Sequence, residues 1–207
     1  MKIKKLLLKY RIEIIVLMIG SVFGSFLMFS TFHSTDQTIQ ISTKAWSDFA
    51  SHVPLIRSFS LGTNFPPQYP LFPGEPIKYH FLFYAFVGYL EKIGIPIGFA
   101  LNIPSVLGFT GLLLIIYYFA KNIFSSKIIG ILSMILFLFN GSLSFLYFLK
   151  DHLLSKNIIY EILSNQKFPS FGPYDNGIVS AFWNLNIYTN QRHLAPSFAI
   201  SLLIIFL

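Results

Sequence analysis

The chain reads as an all-α, multi-span transmembrane helix bundle with interfacial helices in a large first outer loop, and three observations carry that reading. Of 207 residues, 54% are hydrophobic and only 11% charged, against roughly a quarter charged in an ordinary soluble domain. The apolar residues come in long runs and mean hydropathy is +0.64, so lipid is their natural solvent. The formal net charge of +7 is spread between those runs instead of clustering on one face, which argues against a nucleic-acid partner. Cysteine is absent, which removes disulfides, thiol nucleophiles and cysteine metal sites.

The first run, residues 14–32, reaches about 28 Å at the α-helical rise and is long enough to cross. Lys2, Lys4, Lys5, Lys9 and Arg11 precede it against the single acid Glu13, which places the N-terminus in the cytoplasm. No small-residue cleavage site follows, so the run reads as retained rather than removed. A second span covers 97–120, kinked or restarted at Pro104, and a third covers 128–149. A fourth runs from 194 to 207 and onward. Because the sequence stops inside it, the chain reads as the N-terminal part, 1–207, of a longer module.

The twelve apolar residues 79–90 reach about 18 Å against a hydrocarbon core of roughly 30 Å, so they read as an interfacial helix. With that segment outside, Lys121 and Lys127 join the N-terminal bases and nearly all the positive excess is cytoplasmic, as the positive-inside bias requires. The expected topology has outer loops at 33–96 and 150–193, in a multi-pass protein of the cell membrane.

Within the first outer loop, Trp46 to Ser60 has the periodicity of an amphipathic helix on a membrane surface, with Trp46, Phe49, Ala50, Val53 and Ile56 on one stripe. Asp48 and His52 stand four apart and share a face. That pair is either a surface pair on an anchoring helix or a general base with its partner. Five prolines between Pro66 and Pro76 favour an extended, stiff path that presents aromatic side chains. Lys78-Tyr79-His80 follows, with a lysine that snorkels to headgroups or holds an anion. In the second outer loop Gln191-Arg192-His193 forms a run of large polar side chains able to bind phosphate, with Arg192 supplying a two-pronged donor. Asp175 and the histidines leave a divalent metal conceivable, but no ligand spacing supports one.

The order of these features resembles the N-terminal module of GT-C-type glycosyltransferases that use polyprenyl-phosphate-linked sugars, such as protein O-mannosyltransferases and aminoarabinose transferases. It rests on Trp46-Ser47-Asp48-Phe49-Ala50-Ser51-His52, the proline-rich stretch, Lys78-Tyr79-His80-Phe81, Asn102-Ile103-Pro104-Ser105-Val106-Leu107-Gly108 and Gln191-Arg192-His193. The resemblance implies a membrane glycosyltransferase with a polyprenyl-phosphate sugar donor and a saccharide, lipid or protein acceptor at the outer face. It implies Asp48 as base, and Lys78 and Arg192 as lipid-phosphate ligands. Adjacent acids common in that family are replaced here by Ser47-Asp48, and Arg192 stands where an acid often follows the glutamine.

Sugar transfer of this kind needs a base for the acceptor hydroxyl and cations for the departing phosphate. Asp48 and His52, with Arg57, Lys78, His80, Gln191, Arg192 and His193 around the phosphate, make that set. The alternative is a noncatalytic multi-span membrane protein, a transporter or envelope scaffold, that binds lipid or saccharide. No Asp, Glu, Lys, Arg or His lies in the three complete spans, which disfavours ion-coupled transport.

Overall fold

The computed structural model describes residues 9–35, 38–42, 46–141, 143, 145–152, 155–164 and 183–206. The order is α1 (Arg11–Thr31), β1 (Phe32–Ser34), β2 (Ile39–Ile41), α2 (Trp46–Ser60), α3 (Leu82–Lys92), α4 (Ile97–Ile123), α5 (Lys127–Leu138), α6 (Phe145–His152), α7 (Ile158–Leu163), α8 (Trp183–Asn190) and α9 (Leu194–Phe206). The chain divides into two compact units, 1–115 with 190–207, and 116–189.

Among the described residues only α1 and α4 are long and apolar enough to cross a membrane. The expected four-span bundle is therefore corrected. The third expected span, 128–149, is broken: α5 closes at Phe139, whose N–H returns to the Ile135 carbonyl, and Gly141 takes a φ of 153° that a side chain would resist. Of the fourth, α9 is described over 13 apolar residues, about 20 Å at the α-helical rise. The assigned sidedness counted crossings that these helices do not supply. The multi-pass localisation with a cytoplasmic N-terminus falls with it.

The expected outer loop 33–96 is instead part of a packed core. β1 and β2 pair antiparallel, with Phe32 opposite Ile41 and Ser34 opposite Ile39. Phe49, Leu55, Ile56 and Phe59 of α2 are buried with Tyr84 and Val87 of α3, Leu101 of α4 and Phe32. Thus α2 forms over the residues its periodicity indicates, but its apolar stripe faces α3 rather than lipid, and Ala50 is exposed. Apolar burial against a neighbouring helix satisfies the same pattern that an interface would. The second helix of the loop starts at Leu82 rather than Tyr79, so Lys78, Tyr79 and His80 precede it.

Two close approaches set this packing. A Cβ on Gly88 of α3 would stand 2.6 Å from the Ile56 carbonyl oxygen and 2.7 Å from Phe59 Cβ. A Cβ on Gly108 of α4 would stand 2.6 Å from Pro196 of α9. In addition, a Cβ on Gly20 of α1 would stand 3.4 Å from Thr110 of α4, and one on Gly24 3.2 Å from Phe109. Asn102, Ser105 and Thr110 of α4 are buried, and Asn102 Nδ2 donates to the Phe32 carbonyl at 2.8 Å.

The proline-rich stretch is not extended. Asn64 closes its beginning, donating from Nδ2 to the Gln68 carbonyl and accepting from Gln68 N–H, each at 2.8 Å. Gln68 and Pro76 form an antiparallel bridge, and Gly74 turns the chain at a φ of 95°. The second unit is simpler. Ser126 caps α5 by accepting from Ile129 N–H, Gly130 sits against the Tyr117 ring, and Asn184 of α8 donates to the Phe137 carbonyl.

Gly88→Ala is expected to destabilise the protein by about 1–3 kcal/mol, because an added methyl has no room between two backbones. Gly111→Ala, at an α4 position with nothing within 4 Å, is expected to be neutral or to stabilise by up to about 1 kcal/mol. Urea unfolding of the two variants checks the contrast.

Candidate functional site

The polar chemistry of the first unit gathers where α2, α3 and the turn before α9 meet. Tyr84 is fully buried, and its hydroxyl lies 2.9 Å from His52 Nε2 and 3.0 Å from His193 Nδ1. The phenol has one proton, so when it donates to one imidazole the other must donate to its oxygen. The tautomers of the two histidines are therefore coupled. His52 Nδ1 is buried with no hydrogen-bond partner. His80 is exposed, and its ring lies against those of His193 and Tyr79, tilted by 31° and 37° with centroids 3.5 Å apart in each case. The path His52–Tyr84–His193–His80 thus leads from the core to the surface.

Burial drives the titration of these groups. His52 is held down to about 4 by desolvation, aided by His80 and Arg192. His193 is held down to about 3 by desolvation, aided by His80 and His52. His80 is also lowered by desolvation. Burial and the nearby Tyr79 and Asp48 push the Tyr84 hydroxyl up. With these shifts the buried imidazoles are neutral at pH 7 and the phenol keeps its proton, a state that suits proton sharing among His52, Tyr84 and His193.

The structure distributes the sequence-derived site residues unevenly. Asp48 stands half-buried in the first turn of α2, and its backbone carbonyl accepts from Ser51 Oγ at 2.8 Å. The expected side-chain pair of Asp48 with His52 is not made, because His52 turns its Nε2 to Tyr84. Gln191 Oε1 accepts from the Tyr79 hydroxyl at 3.5 Å. Arg57 lies away from the cluster, pairing with Glu91 at 3.0 Å beside Ser34, Gly94 and Pro96.

Arg192 is only 1% exposed. Its Nη2 donates to Thr31 Oγ1 at 2.6 Å and to the Met28 carbonyl at 3.1 Å. Its Nη1 reaches Asn102 Oδ1 at 3.4 Å and the Met28 thioether. The guanidinium also lies 5.6 Å from the Phe49 ring centroid. Burial lowers its pKa to about 9, so it is still cationic at neutral pH. It joins α1 to the turn before α9 and presents no free fork to a phosphate.

Lys78 is exposed and lines a cleft of about 530 Å³ together with Ser51, Tyr69, Phe72, Glu75 and Tyr79. Tyr69 and Phe72 hold their rings nearly parallel, 6.0 Å apart and inclined by 17°. Tyr79 belongs both to this cleft and to the stack on His80, which connects cleft and cluster. Sequence reasoning missed Tyr84, the centre of the cluster. Its signal was a hydroxyl among the apolar residues of the first turns of α3, which demands a partner once buried.

Among the described residues no group of three or more His, Asp or Glu is placed to hold a metal ion, and Asp175 lies outside them. No protein-family profile matches the chain, nor does any curated protein or solved structure. The resemblance to GT-C glycosyltransferases is thus corrected: it rested on the order of spans and outer loops, and that order is not the one the chain folds into. The transferase reading and the transporter or scaffold alternative both required a multi-span bundle and fall together.

Arg192→Ala is expected to destabilise the protein by about 3 kcal/mol or more, by leaving buried acceptors unpaired, with partial recovery in Arg192→Lys; thermal unfolding reads both. The buried histidines add a pH dependence. Their folded pKa values lie below the unfolded 6.5, so their contribution is complete above about pH 6.5 and is lost as pH falls toward 4 for His52 and 3 for His193. Each contributes a slope of about 1.4 kcal/mol per pH unit within its window. Urea midpoints are expected to fall from pH 6.5 to 4, and to fall less steeply in His52→Asn/His193→Asn.

Proposed function

We propose that this chain is a helical ligand-binding domain whose cleft takes a saccharide bearing an anionic group. The observation that carries the reading is the lining of the cleft, where three aromatic rings stand beside one carboxylate and one ammonium. Its volume of about 530 Å³ falls within the range of roughly 300–1,000 Å³ for small-molecule sites. The faces of Tyr69, Phe72 and Tyr79 suit the C–H faces of a sugar ring. Glu75 accepts from sugar hydroxyls, and Lys78 supplies a cation for phosphate or carboxylate. The sugar-phosphate head of a polyprenyl-linked donor belongs to this ligand class.

The neutral His–Tyr–His path behind the cleft is reached through Tyr79 and His80. His80 backs the Tyr79 ring from behind the cleft.

Calorimetric titration of the full chain with glucose 1-phosphate and with glucose tests the reading. Glucose 1-phosphate is expected to bind more tightly, with Lys78→Ala costing it about tenfold through loss of a charged hydrogen bond and leaving glucose unchanged. Tyr69→Ala/Tyr79→Ala is expected to weaken both. Absence of binding by either sugar at millimolar concentration, or indifference to all three substitutions, overturns the proposal.

A further inference from the structure

One face of α1 is used in packing and the other is not. Gly20, Gly24, Leu27 and Met28 are buried, whereas Ile19 is 63% and Val22 73% exposed. Ile15, Met18, Ile19 and Val22 fall at the i, i+3, i+4, i+7 spacing of a single helical face. Part of that face lines a groove of about 510 Å³ walled by apolar side chains alone. An exposed patch of this kind marks an interaction surface.

We propose that the outward face of α1 docks into the hydrocarbon of an anionic lipid bilayer, with the N-terminal end of the helix at the headgroups. The inference does not depend on the ligand of the cleft. Three observations select lipid. The helix has 21 residues, about 31 Å at the α-helical rise, which matches a hydrocarbon core of roughly 30 Å. Lys2, Lys4, Lys5, Lys9 and Arg11 all precede or open it, and basic residues at that position are drawn to anionic headgroups. Lys9 Nζ lies 5.1 Å over the Tyr10 ring, which pairs an aromatic with a cation where headgroup and chain regions meet. A second copy packed in parallel on the same face would bring the two sets of cations together, at a Coulombic cost. On α4, Phe99, Ile103 and Leu107 repeat an exposed apolar stripe at spacing four, so the surface offered to lipid extends past α1.

The test uses the full chain carrying Ile19→Cys labelled with the environment-sensitive fluorophore NBD, with Thr63→Cys as an exposed control. Vesicles are phosphatidylcholine alone or phosphatidylcholine with phosphatidylglycerol at three to one. The expected result is a blue-shifted NBD emission at position 19, quenched by brominated acyl chains and shielded from aqueous iodide, while position 63 stays open to iodide. Lys9→Glu/Arg11→Glu is expected to weaken binding to the anionic vesicles at least tenfold and to remove their advantage over neutral ones. An NBD group at 19 that iodide still quenches in vesicles overturns the proposal. Equal binding of the native chain to both vesicle types does so too, as does a blue shift without lipid accompanied by a doubled mass, which assigns the face to a second copy. The label readout does not depend on a charged substitution in the helix, so a folding defect in one variant leaves the test intact.

Discussion

The first unit depends on one buried cation. Arg192 lies between α1 and the start of α4, and its hydrogen bonds reach the carbonyl of Met28, the hydroxyl of Thr31 and the amide oxygen of Asn102. These acceptors come from elements more than 85 residues distant in sequence. Removing a guanidinium from water is costly unless its donors are met, so the site enforces the position of every element that meets it. Asn102 extends the constraint by donating to the Phe32 carbonyl, where α1 gives way to β1. The residue after the arginine, His193, is thereby held against Tyr84.

Close backbone approach does the rest. α2 and α3 come together at Gly88 more closely than any side chain would allow, and this brings His52 of α2 within hydrogen-bonding reach of Tyr84 of α3. A helix pair held apart by one extra methyl would lengthen that bond and loosen the tautomer coupling on which the cluster rests. The proline-rich loop then closes over the end of α2, placing Tyr69, Phe72, Glu75 and Lys78 around Ser51. Cleft and cluster thus share a single scaffold, with Tyr79 and His80 as the contact between them.

Several features were legible in the residues alone. The spacing of Phe49, Ile56 and their neighbours marked a helix ending near Ser60, and Asp48, His52, Lys78, His80 and Gln191–His193 stood out as polar groups in apolar surroundings. What they face was not legible. A stripe that suits lipid also suits a neighbouring helix, since both remove the same apolar area from water. Arg192 looked like an exposed phosphate ligand because sequence shows its charge but not the Thr31, Met28 and Asn102 acceptors that enclose it. Tyr84 was read as one more aromatic of an apolar run, since its two histidine partners lie 32 and 109 residues away.

Local information determined the helical character of the chain and the apolar nature of α1 and α4, because these follow from torsional preference and the polarity of adjacent side chains. Tertiary structure alone decided that 128–149 breaks in two, that the presumed outer loop is core, and that three histidines from separate elements converge on one phenol and its stacked neighbours. The physical reason is that burial and hydrogen-bond satisfaction are properties of pairs brought together across the chain, and no run of residues contains its own distant partner.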